Sequence, residues 1–366
     1  MVRRPSPRAY AGQWVLLLAV ATVAWFVVSD AADNLARRNM SFGFGFLRDV
    51  ANFDIPFRLI AWSDADTYGR ALLVCLLNTL LVAAMSILAA TLLGLCVGIM
   101  RLSVNWLVRN IALACVEFVR NTPQLIQIIF WYVAVLQTLP SPRRSILLPF
   151  GMLLNIRGFY VPAPILGPHG ATLAWTALAL VAATPFAWRL ALGAKALLLP
   201  LAAIIIYLAG IEGVSWPTLK GFNIAGGTQL TPELVALWLG LSIYAAAFIA
   251  EIVRGSILAI SKGQSEAAQA LGLRAGQRLF LIILPQALRI MVPQLTSQYL
   301  NIIKSSTLGA VVAYPELMQI FAGTVMQQSG KEIETIIIVM AIFLAINLLF
   351  SAFMNWYNRH VALVER

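Results

Sequence analysis

The feature of this sequence that most restricts its fold is a series of long apolar runs with few charged residues. A helix needs roughly twenty residues to cross a hydrocarbon core about 30 Å thick. Eight runs approach that length, in a chain of 366 residues that is 60% hydrophobic and only 11% charged. Average soluble domains are far more polar. The sequence therefore predicts an all-α, polytopic membrane protein with about eight transmembrane helices.

Three of the eight predicted spans fit a transmembrane helix less well than the others. The fourth and fifth are short, and the first follows three arginines, as a secretory signal peptide would. Its apolar stretch is long for a signal peptide and lacks a small-x-small cleavage site, which favours an uncleaved anchor helix. The predicted spans cover residues 9–29, 71–100, 114–139, 171–188, 196–213, 234–253, 287–313 and 333–357.

The orientation follows from the rule that lysine and arginine collect in short cytoplasmic loops near helix ends. With a cytoplasmic amino terminus, the inner segments hold most of the cations, and the outer loop of residues 30–70 balances its arginines with aspartates. Arg143, Arg144 and Arg157 in the next outer loop, residues 140–170, count against this assignment. On balance we expect both termini in the cytoplasm.

Charge, cysteine and histidine usage argue against several classes of function. The formal net charge of +11 comes from cations scattered between apolar runs, so topology explains it better than nucleic-acid binding. Cys75, Cys96 and Cys115 lack metal-ligand spacing, and only His169 and His360 could assist them. The phosphate-binding motif G-x-x-x-x-G-K-[ST] does not occur. We expect no metal, cofactor or catalytic centre on this chain.

One polar segment, SEAAQALGLRAGQRLFLIILP at residues 265–285, interrupts the apolar sequence. Ser265 can cap a helix, and the residue after it is a glutamate, which the helix dipole favours in the first turn. Gly272 predicts that this helix ends near Leu271. A second short helix follows, which Pro285 is expected to break as the chain returns to the membrane.

Two short helices of this kind fit either of two surroundings. They could dock in a groove on another protein or lie on lipid headgroups, and composition alone does not separate the two. The order of residues favours docking, because the segment matches E-A-A-x(3)-G-x(9)-I-x-L-P. This spacing resembles the EAA loop of membrane permeases in ATP-binding cassette importers. The matching residues are Glu266, Ala267, Ala268, Gly272, Ile282, Leu284 and Pro285.

Four further stretches resemble the polar amino acid permease family. They are LLNTLLVA at residues 76–83, EFVRNTPQLIQIIFWY at 117–132, AAFIAEIVRGSI at 246–257 and NIIKSSTLGAVV at 301–312. The likeness covers residues 67–138 and 234–357. The first helix, the outer loop with GFGFL and TYGR, and the insertion around the fourth and fifth spans resemble the longer general L-amino acid permeases of proteobacteria.

The resemblance implies a division of the chain into domains. Residues 1–70 would form an anchor helix and periplasmic loop, and residues 71–366 a permease domain with a five-helix core. Residues of about 140–230 would be an insertion of periplasmic loops and a helix pair, and residues 262–289 a coupling loop that docks on an ATPase.

The resemblance also implies a function and partners. The function is import of polar or general L-amino acids across a bacterial inner membrane. The partners would be two cytoplasmic ATPases, a second and non-identical permease subunit, and a periplasmic amino acid-binding protein. ATP and Mg²⁺ would bind the ATPase, so this chain would not be an enzyme.

Ionisable residues at membrane depth are costly and usually face protein, water or a ligand. Glu117 and Arg120 are three residues apart, so they share a helix face and can partly neutralise each other. A structural ion pair is the stronger alternative for them, and more so for Glu251 and Arg254. Arg120 nevertheless remains a candidate for the substrate pathway.

Polar residues on the seventh span recur on one helix face, with Lys304 beside them. Such a face either holds helices together or lines a wet path, and both alternatives stay open. The family often has an acidic residue after this lysine, whereas this chain has Ser305, which argues against import of lysine or arginine alone. The candidate pathway residues are Arg120, Asn301, Lys304 and Ser305, and the polar face comprises Gln294, Ser297, Gln298, Asn301 and Ser305.

Two other classes of function compete. An ion-coupled secondary amino acid transporter usually shows repeated halves with interrupted helices at matching positions, and that symmetry is not visible in this sequence. A membrane enzyme or an assembly factor would be the third class, and no catalytic constellation supports it.

Overall fold

The computed structural model describes residues 7–37, 42–170, 172–174, 176–177, 179–180, 198–221 and 223–361. Within these ranges, four helices are long and apolar enough to cross a membrane: Tyr68–Met100, Pro232–Leu258, Gly276–Val312 and Glu332–Trp356. They confirm the second, sixth, seventh and eighth predicted spans as helical. The predicted total of eight spans is not confirmed, and most of the fourth span lies outside the described residues.

Helices dominate the described chain, and short strands occupy the insertion. The labelled helices are α1 (Pro7–Arg37), α2 (Tyr68–Met100), α3 (Trp106–Asn121), α4 (Gln124–Ile129), α5 (Leu198–Ala209), α6 (Pro232–Leu258), α7 (Lys262–Ala270), α8 (Ala275–Arg278), α9 (Leu284–Ser305) and α10 (Glu332–Val361). One further α-helical turn, Met326–Ser329, precedes α10. The strands are β1 (Ile146–Leu148), β2 (Met152–Asn155), β3 (Gly158–Val161), β4 (Ala163–Leu166), β5 (Ile211–Ser215), β6 (Thr218–Lys220), β7 (Asn223–Ala225) and β8 (Thr228–Leu230).

Three helices begin at side-chain caps. Thr67 accepts a hydrogen bond from the N–H of Arg70 before α2, Asn105 accepts from Leu107 and Val108 before α3, and Thr231 accepts from the third residue of α6. Each cap satisfies a backbone donor that the first helical turn leaves unpaired. The starts of these helices are therefore fixed by local sequence.

The third predicted span, residues 114–139, is wrong as one continuous helix. The α3 helix ends at Asn121, and Thr122 adopts an extended conformation before Pro123. A proline disfavours helical geometry in the residue before it, which explains the break. After α4 the chain continues as a π-helix, Phe130–Val135, and a short 3₁₀ turn.

The insertion is not all-α, which corrects the predicted fold class there. Strands β1, β2, β3 and β8 form a four-stranded antiparallel sheet in that order, while β4 pairs with β5 and β6 pairs with β7. The fifth predicted span, residues 196–213, accordingly ends as a helix at Ala209, and strand β5 begins at Ile211. Strands of three to five residues carry too little alternation to be recognised in sequence.

The α2 and α6 helices form the most extensive helix pair of the bundle. They approach closely because Gly94 and Gly98 of α2, four residues apart, lie against the backbone of α6. A methyl group added at Gly98 would stand 2.9 Å from the carbonyl oxygen of Ala250. Small residues with this spacing allow membrane helices to pack at short distance.

The loop before α2 covers the end of the bundle opposite the α7–α8 loop. Phe46, Ile55 and Trp62 of this loop are buried in one cluster with residues such as Leu317 and Phe321. The buried side-chain amide of Asn78 also donates to the carbonyl oxygens of Phe57 and Pro315, at 2.9 and 2.8 Å. These contacts join the loop, α2 and the segment after α9 into one capped end.

Glu316 is a fully buried acid in this capped end. Its carboxyl oxygens accept hydrogen bonds from the N–H groups of Met318 and Gln319, both at 2.8 Å, and so cap the π-helix Leu317–Val325. Burial raises the pKa of the Glu316 carboxyl to about 7. Removal from water disfavours the charged form, and here it outweighs the two capping bonds.

The raised pKa of Glu316 predicts a pH-dependent stability. Its proton is bound in the folded protein up to about pH 7, but only to about pH 4.3 when unfolded. The contribution of this proton to the free energy of unfolding is complete below the unfolded pKa. It is lost as pH rises through the folded pKa, by up to roughly 4 kcal/mol. We expect the melting temperature of the purified protein to fall between about pH 4.5 and 7 and then to level off, and Glu316→Gln to reduce that fall. The exposed Glu332→Gln is the control, and equal falls in all three proteins would contradict the assignment.

Candidate functional site

The first part of the candidate site is the α7–α8 loop at the carboxyl end of α6. The α7 helix begins at Lys262 after Ser261, so Ser265 lies inside the helix and the prediction that it is the cap is wrong. The predicted end near Leu271 is confirmed. The N–H groups of Gly272 and Leu273 donate to the carbonyl oxygens of Gln269 and Ala268, at 2.9 and 3.1 Å. This paired pattern needs a left-handed residue, and Gly272 has a φ of +77°.

The predicted break at Pro285 is wrong, because the helical path continues from α8 into α9. Leu279–Ile283 form one π-helical segment, and Pro285 lies in the first turn of α9. A proline ring clashes with the carbonyl four residues earlier in an α-helix, and a wider π-turn relieves such a clash. Gln286 then donates its side-chain N–H to the carbonyl oxygen of Ile282 at 3.0 Å.

The motif residues of this loop divide into an inner and an outer set. Ala268 is buried, while Ile282 and Leu284 are half-buried where the two helical arms meet. Glu266 is exposed and forms no ion pair with any other residue of the described chain. The remaining motif residues, Ala267, Gly272 and Pro285, are exposed as well.

Two large apolar side chains on the same loop are exposed. Leu271 is 81% exposed at the end of α7, and Phe280 is 66% exposed in the π-helical segment. Exposed apolar side chains on a loop that also carries an unpaired carboxylate are typical of a protein interface. The geometry therefore fits a loop that a partner covers.

The second part of the candidate site is a cavity of about 130 Å³ between α4, α6 and α9. Its polar groups are amides and hydroxyls, and two aromatic rings complete the wall. None of these lining residues is acidic or basic. The lining consists of Gln124, Tyr244, Ala245, Phe248, Gln298, Asn301, Ile302 and Ser305.

The predicted pathway residues lie in or beside this cavity, with one exception. Asn301 and Ser305 line it, and the guanidinium of Arg120 lies over the ring of Phe248, 5.2 Å from its centre. Arg120 also faces Glu117 at 3.8 Å, as their spacing predicts. Lys304 is exposed and is not part of the lining.

The polar face predicted on the seventh span is only partly a cavity wall. Gln298 lines the cavity together with Asn301 and Ser305, whereas Gln294 and Ser297 are exposed away from it. Sequence reasoning missed Gln124, Tyr244 and Phe248, which other helices contribute. Tyr244 and Phe248 are four residues apart on one face of α6, but that spacing does not indicate which helix they meet.

A charged cluster lies between the cavity and the loop. Glu251 accepts hydrogen bonds from Arg254, at 2.6 Å, and from the buried Arg101 just after α2. The spacing of Glu251 and Arg254 predicts the first pair, but no sequence pattern indicates the second, because Arg101 lies 150 positions from Glu251. Arg101 is buried, so removal of Glu251 would leave its charge uncompensated. The cluster therefore links the carboxyl ends of α2 and α6.

Long apolar helices, a polar cavity between them and an exposed helical loop at one end define a multi-pass membrane protein of the transport-permease class. Residues 86–363 match the family described as binding-protein-dependent transport system inner membrane component. The chain belongs to that family. It is a multi-pass inner-membrane protein, and its relatives are permease components rather than enzymes.

Two relatives match nearly end to end. The putative amino-acid ABC transporter permease protein YhdX of Escherichia coli K12 is 43% identical over 99% of this chain and 96% of its own length. The general L-amino acid transport system permease protein AapQ of Rhizobium johnstonii is 43% identical over 99% of this chain and 94% of its own length. The predicted resemblance is thus confirmed, and it includes the insertion and the first helix.

A third relative is more distant. The glutamate/glutamine/aspartate/asparagine transport system permease protein BztB of Rhodobacter capsulatus is 37% identical over 96% of this chain and 93% of its own length. Among solved structures, a crystal structure of an amino acid ABC transporter with histidines gives a TM-score of 0.52 at 19% identity. It covers 80% of this chain and 95% of that chain, and at this identity it supports the fold alone.

Proposed function

We propose that this chain is a permease subunit of an ATP-driven importer of polar or general L-amino acids. The observation that carries the proposal is the EAA-spaced loop, exposed as two helical arms at one end of the bundle, in a chain whose near full-length relatives are an amino-acid ABC transporter permease and a general L-amino acid permease. Substrate would arrive from a periplasmic binding protein, and the energy would come from ATP hydrolysed on a partner.

The α7–α8 loop would be the contact with the ATPases. Ala268 is buried, and the exposed Leu271 and Phe280 would offer apolar side chains to a groove. The exposed Glu266 offers a charge that a cation on the ATPase can pair. Because α8 continues without a break through Pro285 into α9, displacement of the loop would move α9 and hence one wall of the cavity. ATP and Mg²⁺ would be held by the partner.

The same proposal assigns a topology. Both termini and residues 262–289 would lie in the cytoplasm, and the loop before α2 and the insertion of about residues 140–230 in the periplasm. Residues 1–70 would act as an anchor and outer loop, and residues 71–366 as the permease domain. The second permease subunit would be non-identical, and the capped outer end would receive the binding protein.

The cavity would form part of the substrate pathway. Amides and hydroxyls such as those of Asn301 and Ser305 can bond to both the carboxylate and the ammonium group of an amino acid. Absence of a carboxylate from the lining suits a range of polar side chains rather than cationic ones alone. Arg120 at the cavity edge would attract the substrate carboxylate, and Lys304 would add positive charge beside α9.

A reconstituted complex tests the proposal. We expect the purified chain alone to hydrolyse no ATP, and the complex with its ATPases, second permease and binding protein to hydrolyse ATP faster when polar L-amino acids are present. The measurement is binding-protein-stimulated ATPase activity in nanodiscs across the twenty amino acids. Uptake that an ion gradient drives without ATP would instead establish the secondary-transporter alternative.

A variant of the same assay tests the cavity. Asn301→Leu should lower substrate-stimulated ATPase activity and uptake by about tenfold, because it replaces a bonding amide with an apolar side chain. Gln294→Leu is the matched control, since Gln294 lies on the same helix but outside the cavity. Equal activity of the two variants would remove Asn301 from the pathway and leave the importer assignment intact.

A further inference from the structure

Three cationic side chains gather at one end of the four-stranded sheet. We call Arg144, Arg157 and Lys220 the basic patch. They come from three separate segments: the turn before β1, the turn between β2 and β3, and the end of β6. All three side chains are exposed.

Hydrogen bonds bring these segments together. A guanidinium nitrogen of Arg157 donates to the side-chain oxygen of Asn223 at 2.6 Å, and Asn223 is the cross-strand partner of Lys220. Strand β7 also contacts the turn that contains Arg144. That turn is tied to the β2–β3 turn, because Asn155 donates to the hydroxyl of Ser145 at 2.9 Å.

Nearby carboxylates do not neutralise the patch. Between residues 140 and 231 the sequence contains one acidic residue, Glu212, and its side chain lies beside Gly167 on the separate β4–β5 ribbon. Glu233, just beyond, accepts a hydrogen bond from the hydroxyl of Tyr132 at 3.1 Å. None of the ion pairs in the described chain involves Arg144, Arg157 or Lys220.

If α6 spans the bilayer, its length puts this end of the sheet at the level of the lipid headgroups. Strand β8 leads directly into α6, and Gly158 at the β2–β3 turn lies against the backbone of Leu230 and Thr231, where α6 begins. The α6 helix has 27 residues and is therefore about 40 Å long, which equals a bilayer with its headgroup regions. The β1–β2 hairpin tip points the other way, about 10 Å farther from the helix.

Apolar side chains accompany the cations. Ile156, in the same turn as Arg157, is 41% exposed, and Ile146 beside Ser145 is 43% exposed. Cations next to exposed apolar side chains at the end of a membrane helix match the border between acyl chains and headgroups.

We propose that the basic patch binds the phosphate groups of anionic lipids in the leaflet on the side of the insertion. Each lysine or arginine near an anionic surface attracts it, so three cations from three segments would hold the sheet at a fixed height above the start of α6. The site is independent of the transported amino acid and of ATP.

Lipid binding by the purified full-length chain tests this inference. Native mass spectrometry gives the association constant of the first dioleoylphosphatidylglycerol molecule, and dioleoylphosphatidylcholine serves as the neutral lipid. We expect Arg157→Gln and Lys220→Gln each to weaken phosphatidylglycerol binding about fivefold, and the double variant about 25-fold. Phosphatidylcholine binding should not change.

The matched control is the double variant Arg48→Gln/Arg58→Gln, which removes the same charge from two exposed sites in the loop before α2. Equal loss in both double variants would overturn the inference, because total charge would then explain it. Displacement of the lipid by excess inorganic phosphate would overturn it as well, since a free anion would be the ligand. A third result would also overturn the inference: unchanged lipid binding by the Arg157→Gln/Lys220→Gln variant together with weaker stimulation of the ATPase activity of the complex by the binding protein. That result would identify the patch as a protein contact. No arm of the lipid measurement uses ATP, so failure of the importer assignment would be recognised separately.

Discussion

Leucine in place of Gly98 is expected to prevent α2 from packing against α6 and to abolish most of the folded protein. The first carbon of any side chain at this position would stand 2.8 Å from the β-carbon of Val253 and 2.9 Å from the carbonyl oxygen of Ala250. The second of these neighbours is backbone, which cannot rotate away. Overpacking a helix interface typically costs about 1–3 kcal/mol and more where the backbone must move, and α2 and α6 form the main contact of the bundle.

The measurement is the yield of monodisperse protein after detergent extraction, followed by its thermal unfolding. Gly255→Leu is the matched control, because a side chain at Gly255 on α6 meets nothing within 4 Å. Gly98→Ala should fall between the wild type and Gly98→Leu, since its single methyl group already makes both contacts. Normal yield and stability of Gly98→Leu would show that α2 and α6 do not pack as closely as described.

Gly98 and Gly255 both lie in long apolar helices, but only Gly98 packs against another helix. The sequence predicts the helices and not their packing partners. The predicted spans over residues 71–100 and 234–253 are helices, because long apolar runs leave few alternatives in a bilayer. The spacing of Gly94 and Gly98 is readable as well, but their partner helix is not. That partner depends on contacts between residues about 150 positions apart, such as Arg101 with Glu251.

Errors in the predicted fold arose where local signals were weak or conflicting. The predicted span of residues 114–139 joins two helices that the structure separates at Pro123. Strands in the insertion escaped notice because their hydrogen bonds, such as those between β3 and β8, join residues about 70 positions apart. A strand of three residues is too short for its sequence to indicate which distant strand it pairs with.

The candidate site was predictable only where it depends on local sequence signals. Gly272 could be placed at the end of α7, because a left-handed residue there has a local sequence signature. The predicted break at Pro285 is wrong, since the π-helical segment that accommodates this proline has no recognisable sequence pattern. For the cavity, one wall could be predicted from α9, but Gln124, Tyr244 and Phe248 required the packing of three helices.

Reversal of charge at Glu266 is the functional change with the largest expected effect. Glu266→Arg should lower copurification of the coexpressed ATPase, and amino acid uptake by cells, by about tenfold or more. An exposed carboxylate without an ion pair in the described chain is available to a partner, and a like-charge contact in its place costs several kcal/mol. The measurements are ATPase recovered with the affinity-purified permease and uptake of a radiolabelled amino acid.

The control is Glu332→Arg, which makes the same change at an exposed position in the first turn of α10, at the opposite end of the bundle. It should leave ATPase recovery unchanged. The same experiment separates the two surroundings that composition left open for this loop. A loop lying on lipid would gain from Glu266→Arg, because arginine attracts anionic headgroups, so uptake and ATPase recovery would both persist. Docking on a protein predicts that both are lost together, since the loop that binds the ATPase is continuous with the α9 wall of the cavity.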